Sequence, residues 1–255
     1  MTKSATAVCR AACSSASVAS GFPSSRLSRI GVGLTGCDGH HDPLDTSMEV
    51  GHILCTDGKT RSYEDYVASG KEAIAVVFHV NRNEEMSGTG YAVYLHDLPP
   101  EAFADSLGIS QGTSADLTAY DGNENTFALY DTDDVSSPMA MQVFDMWRYG
   151  QSAYVPSVAQ MRLLYAAKAS INPYIKSCGG EPLPDDADEC WYWTSTEVEG
   201  QETAKAWLFS MGSGAIQETP KLQGHKVRAM VTLYNEELLH VCKLDPNIER
   251  KHGRK

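Results

Sequence analysis

The thiols, imidazoles and carboxylates of this chain are the groups able to do chemistry, and their spacing restricts what that chemistry is. The seven cysteines, Cys9, Cys13, Cys37, Cys55, Cys178, Cys190 and Cys242, contain no C-x-x-C pair, which excludes the ordinary zinc spacings. Cys178 and Cys190 bracket a Gly/Pro/Asp loop. They either close it as a disulfide, worth about 3 kcal/mol by loop entropy, or stand as two independent buried thiols. His40-His41-Asp42 falls in a flexible leader, and His52, His79, His96 and His225 are dispersed without metal-ligand spacing. His79 and His96 lie on adjacent expected strands, as satisfied strand histidines or as a pair. Asp131, Asp133 and Asp134 lack the glycine and distal glutamate of a calcium loop and read as a solvated turn. No glycine-rich phosphate loop is present, and no cofactor or metal is implied.

Two further groupings concern recognition rather than catalysis. Glu181, Asp185, Asp186, Asp188, Glu189, Glu197, Glu199 and Glu202 occupy a stretch with no basic residue between Lys176 and Lys205. A charged loop rim accounts for it, and a basic ligand or cation is the alternative. Three of the four tryptophans fall in Trp191-Tyr192-Trp193-Thr194-Ser195-Thr196-Glu197 and Ala206-Trp207-Leu208-Phe209, upstream of Val227-Arg228-Ala229-Met230. A cluster of large aromatics is the heart of a core or a recognition surface. Lys205 to Ser210 alternates, so Trp207 and Phe209 share one face of a strand while Ala206 and Leu208 take the other. With Leu208 inside, Trp207 and Phe209 are presented outward as a hot-spot patch; packed on the helices, Trp207 is structural. Trp193, Thr194 and Ser195 read as core and turn.

The elements that must position these residues are legible in part. Val50 to Cys55 reads as a strand closing on the Asp57-Gly58 turn, and Ser62 caps a short helix through Tyr66 that ends at Gly70. Ala73 to Val80 is a β-branched run suited to a strand covered on both faces, with Tyr91 to Asp97 as its partner. Residues 99 to 135 read as surface loop or insertion, with one short helix near Glu101 to Leu107. Ser137-Pro138 opens a helix with Ala140, Val143, Phe144 and Trp147 on one face and Gly150 at its end. Ser157 and Gln160 spell a capping box ahead of Met161, Leu164, Tyr165 and Lys168, and Asn172-Pro173 restarts a short helical segment. Strands follow at Trp191 to Thr194, Lys205 to Ser210, Ala215 to Glu218 and Lys226 to Leu233.

With 255 residues, 42% of them hydrophobic, the chain can build one large or two modest cores. Its net charge of −12 argues against nucleic acid or an anionic membrane as partner. No apolar run reaches the roughly 20 residues that span a bilayer. Residues 1–46 read as a leader, disordered or targeting, because they are rich in Ser, Ala and Gly and carry no acid before Asp38. Leu34-Thr35-Gly36-Cys37 has the small-residue spelling of a lipoprotein cleavage site, which would make Cys37 a lipid anchor, although Arg26 and Arg29 interrupt the apolar region such a signal needs. The expected division is a small antiparallel β module with an acidic loop at 47–135, a second domain at 136–233 and a polar tail at 234–255.

Tyr154-Val155-Pro156-Ser157 before an amphipathic helix, then Trp193-Thr194-Ser195-Thr196-Glu197, Ala206-Trp207 and Val227-Arg228, in this order, resemble the C-type-lectin-like domain of bacterial surface proteins. These are related in fold to formylglycine-generating enzyme and include the variable proteins of diversity-generating retroelements. The resemblance covers residues 136 to 233 and implies an α+β fold, two helices flanking twisted antiparallel strands. The stretch Gly51 to Asp97 is similar to a β module that often precedes this domain in gut Bacteroidetes proteins. Carried over to this chain, the family's ligand-binding face draws on Glu197, Gln201, Lys205, Trp207, Phe209, Gln217, Lys221 and His225. The implied function is non-catalytic recognition of a protein or glycan at the cell surface or outside the cell, with the oligomeric state open.

The enzymatic alternative, oxidation of a substrate cysteine in the manner of formylglycine-generating enzyme, meets a departure: the closing strand Lys226-Val227-Arg228-Ala229-Met230 contains no cysteine. A thiolate nucleophile must sit beside its activating groups. Calcium-dependent sugar binding of the animal lectin type is also disfavoured, because Glu181-Pro182-Leu183 matches its loop only in part and the Trp-Asn-Asp strand is missing. A structural role in a surface assembly is the remaining alternative.

Overall fold

Ser62 accepts a hydrogen bond from Asp65 N and Gly70 adopts the left-handed conformation at φ 61°, so the helix between them starts and stops where its caps dictate. In the computed structural model, which describes residues 48–81, 88–147, 152–186 and 190–234, this helix α1 (Tyr63–Ser69) follows β1 (Ile53–Cys55) and β2 (Thr60–Arg61). β3 (Ala73–Val80) and β4 (Gly90–Tyr94) come next, then β5 (Leu98–Ala102), α2 (Gly122–Asp131), α3 (Pro138–Trp147) and α4 (Val158–Ser177). The chain continues through β6 (Trp191–Glu197), β7 (Lys205–Ser210), β8 (Ile216–Pro220), β9 (Gly224–Val227) and β10 (Met230–Leu233). The described residues thus form a mixed α+β structure with two sheets, ordered β10-β4-β3-β1-β2 and β5-β9-β6-β7-β8. Pairing is antiparallel except between β6 and β9.

The strands on either side of the expected division at 135/136 interleave. β10 pairs with β4 through Val231 and Ala92, and β5 pairs with β9 through Glu101 and His225. The two stretches therefore share their sheets, and the described residues belong to one compact unit. The expected strand 226–233 is two strands, because Arg228-Ala229 carries the chain from one sheet into the other.

One face of the sheets, with Leu54, Ala75, Ala92, Trp193 and Leu208, packs with Met139 and Val143 of α3 and Leu129 of α2. The other, with Ile53, Val76, Tyr91, Tyr192 and Phe209, packs on Val158, Leu164, Ile171 and Ile175 of α4. β3 lies between the two clusters and contributes to both, which is why it is a continuous apolar run and not an alternating one.

α4 begins in the expected capping box: Ser157 Oγ accepts from Gln160 N, and Gln160 Oε1 accepts from Ser157 N. The helix then runs unbroken through Pro173 to Ser177, where the sequence pattern suggested a restart. A proline inside a helix costs about 3 kcal/mol. Burial of Ile171 and Ile175 on either side offsets that cost, and Asn172 fixes the turn by bonding both the N–H and the carbonyl of Leu183 at 2.9 Å.

The largest departure lies in residues 98–135. The expected short helix near 101–107 is absent: Leu98–Ala102 is strand β5, and the helix α2 lies further on. This segment is not a surface insertion, because Phe103, Ala104, Leu129 and Val135 enter the core. α2 docks through polar contacts. Asn125, 3% exposed, accepts from Ser114 N and donates to Asp121 and to Ser195 Oγ. Thr126 Oγ1 accepts from Val155 N at 2.9 Å. Buried polar groups that find partners can seal a seam as apolar ones do.

The leader 1–46 with its anchor candidate Cys37 lies outside the described residues. So do His40-His41-Asp42, Cys9, Cys13, Cys242 and the tail beyond Tyr234.

Candidate functional site

β6 and β7 are in register from Trp191 to Trp193, and then the pairing slips: Trp193 faces Leu208 while Glu197 faces Ala206. Four steps on β6 thus match two on β7, which bulges Thr194–Thr196 away from the ladder. The bulge is held from outside the sheet, by Ser195 N donating to Pro156 O at 2.8 Å and Val158 N donating to Thr196 Oγ1 at 3.2 Å. Trp193, Thr194 and Ser195 are fully buried.

Beside the bulge opens a groove of about 720 Å³, lined by Ala115, Asp116 and Leu117 from the 103–121 segment, Val198, Glu199 and Glu202 after β6, Trp207 on β7 and Glu218 on β8. Asp116 is set by an Asx turn, its Oδ1 accepting from Thr118 N at 2.8 Å and Thr118 Oγ1 at 2.7 Å. These bonds favour its ionised form and hold its pKa below the ordinary carboxylate value. Glu202 is likewise held low by bonds from backbone amides, its own and that of Gly200. Glu218 accepts from Lys205 Nζ at 3.1 Å and Gln201 Nε2 at 3.3 Å. The groove therefore presents a half-buried tryptophan among four carboxylates, one of which is engaged by a lysine.

The residues expected on the ligand face divide. Gln201, Lys205 and Trp207 converge on Glu218, and Gln217 is exposed on β8 beside it. Phe209 does not join them: it is fully buried, with Tyr165 of α4 edge-on at 6.1 Å. The alternation of β7 holds: Trp207 packs against the same cluster as Phe209 but stays half-buried and lines the groove, while Ala206 and Leu208 are buried on the other face. His225 takes the opposite face, edge-on to Trp193 at 5.3 Å, and burial lowers its pKa.

Glu197 and Lys221 are also interior, both at 0% exposure, and they form an ion pair with each other. A side chain that is fully buried and bonded inside the fold cannot contact a ligand at the surface. Ser110 Oγ donates to the other Glu197 oxygen at 3.1 Å, and Gln111 N donates to Glu197 Oε1 at 3.0 Å. The Lys221 ammonium sits over the Phe103 ring, 4.9 Å from its centroid. Burial lowers the Lys221 pKa, with the Glu197 carboxylate acting against that shift.

Sequence reasoning missed Ala115, Asp116, Leu117, Val198 and Glu218. The Asp116-x-Thr118 spelling of an Asx turn was the available signal.

A second polar cluster ties the sheets together on the far side of β6. Asp97 accepts from Tyr192 Oη at 3.0 Å and Arg228 Nη1 at 2.8 Å, and Lys226 Nζ lies 3.1 Å away. Arg228 also donates to the carbonyl of Glu181.

Among the described residues Cys55 and Cys190 are buried and Cys178 half-buried, and Cys178 and Cys190 are not bridged to each other. Cys190 Sγ lies 3.0 Å from Ser210 Oγ. None of the three lines the groove. The described residues contain no cluster of His, Cys, Asp or Glu able to hold a metal ion, and no helix long and apolar enough to cross a membrane. In comparisons with known proteins, no family model matches the chain and no curated protein matches it.

Proposed function

We propose that this chain is a non-catalytic recognition protein of C-type-lectin-like architecture, acting at the cell surface or outside the cell, and that it binds its protein or glycan ligand in the groove at Trp207. The observation that carries the reading is the half-buried Trp207 among Asp116, Glu199, Glu202 and Glu218. A large aromatic at the margin of a rigid sheet, ringed by polar groups, is the composition of a binding hot spot. The carboxylates favour a basic protein segment, since a lysine or arginine brought over the indole gains cation–π attraction and carboxylate pairing together. Support for the architecture comes from the α+β topology, with α4 opened by the Ser157/Gln160 capping box and the Trp193 strand buried behind it.

The test is parallel display of the chain on a glycan array and on an array of peptides bearing Lys, Arg or neither, with wild type and Trp207→Ala. The reading requires a specific class of ligand that Trp207→Ala loses while its circular dichroism is unchanged. Binding to neither array, or binding that survives Trp207→Ala, sinks it.

A further inference from the structure

The interior pair Glu197 and Lys221 has a third member. Lys221 Nζ lies 3.5 Å from Gln111 Oε1, and Gln111 is 2% exposed. The Gln111 side-chain nitrogen is buried and has no hydrogen-bond partner among the described residues. An amide in that position is a costly way to solvate a lysine, because an orphaned buried donor carries its full desolvation penalty. The three groups are clamped by the backbone. Lys221 N donates to Ala204 O, Phe103 N and Ala104 N donate to Lys221 O, Gln111 N donates to Glu197, and Thr132 Oγ1 donates to Gln111 O.

We propose that Lys221 and Gln111 become joined by an intramolecular isopeptide bond, with Glu197 as the proton carrier. Glu197 takes a proton from the Lys221 ammonium, and the neutral amine attacks Gln111 Cδ, forming the Nζ–Cδ bond. Glu197 then gives its proton to Nε2 and takes the second one from Nζ. The Cδ–Nε2 bond breaks, ammonia leaves, and Glu197 keeps one proton. Atoms and charge balance with no oxidant or cofactor: an amine and a primary amide give a secondary amide and ammonia.

Three features of the site serve this step. Burial favours the uncharged amine, which is the nucleophile. Glu197 touches the amine and holds the Gln111 backbone, which places a proton carrier at the reacting groups. Fixed backbones on both sides convert the encounter into an intramolecular one. The bond removes the orphaned nitrogen and fastens the 103–121 segment, one wall of the groove, to the turn after β8.

Mass spectrometry of the full chain decides it. The folded wild type is expected to be lighter than its sequence by one ammonia, and its tryptic digest, made after denaturation, should contain peptide 83–148 joined to peptide 206–226 with no cleavage after Lys221. Glu197→Gln and Gln111→Ala should each leave the two peptides separate, Gln111→Ala doing so with the Lys221–Glu197 pair intact. Folded wild type of unmodified mass, cleaved after Lys221, overturns the proposal whatever the variants do.

Discussion

Asp97 holds three groups at once, so its removal should be more damaging than removal of any one of them. Arg228 is fully buried, and Asp97 is the only carboxylate to which it is ion-paired among the described residues. Asp97→Ala leaves the guanidinium uncompensated in the interior and strips the Tyr192 hydroxyl of its acceptor. Breaking a buried pair from one side costs about 3–5 kcal/mol. Lys226, 28% exposed at its side chain, can turn to solvent at little cost.

Arg228→Met removes the buried charge itself. Asp97 keeps Lys226 and Tyr192, and the loss reduces to charge-assisted bonds partly offset by relief of a guanidinium whose Nε has no hydrogen-bond partner among the described residues. That variant should cost about 1–3 kcal/mol. Urea unfolding followed by circular dichroism reads both. At about 2–4 °C per kcal/mol for a domain of this size, Asp97→Ala should melt roughly 6–20 °C below wild type. An Asp97→Ala loss under about 1 kcal/mol, or a larger loss for Arg228→Met than for Asp97→Ala, would refute the argument that an uncompensated charge sets the cost.

Other perturbations follow from the same geometry. Gly122→Ala places a Cβ 2.7 Å from Val155 O and 2.9 Å from Ser157 N, backbone atoms that cannot step aside; a loss of about 1–3 kcal/mol in urea is expected, and an unchanged midpoint would mean the α2–α4 seam is loose. Ser157→Ala removes the cap of α4 and a 2.7 Å bond to Ala119 O, so its cost should fall at the upper part of the roughly 0.5–2 kcal/mol capping range. His79 and His225 both have pKa values lowered by burial. Folded protein therefore binds fewer protons than unfolded protein once pH falls below the ordinary histidine value of about 6.5, and stability should decline from there toward pH 5. Half-exposure of both rings keeps the slope well under about 1.4 kcal/mol per pH unit for each. A urea midpoint flat from pH 7 to 5 would contradict this.

Signals that act within a few residues were legible in the sequence. The caps of α1, the Asp57-Gly58 turn, the β3 run and the capping box of α4 stand where local chemistry puts them. What was hidden depends on contacts distant in sequence. α2 has no apolar stripe because Asn125 and Thr126 are satisfied by Ser114, Ser195 and Val155. The run Lys226 to Leu233 looks like one strand because nothing local reports that its halves belong to different sheets. On the expected ligand face, strand alternation put Trp207 and Phe209 on one side of β7 and could not show that Phe209 is buried there against α4. Glu197 and Lys221 looked like surface charges because each one's counter-charge lies on a different strand or turn, 24 residues away.

Recognition at the groove requires Trp207 to be a binding residue. The direct measurement is the equilibrium affinity of wild type and Trp207→Ala for the best array ligand by calorimetry, beside a melting curve of each. A hot-spot tryptophan predicts at least about 2 kcal/mol, or roughly 30-fold, of lost affinity with the melting temperature held. Equal affinities, or a Trp207→Ala protein that has lost its fold along with its binding, would contradict it.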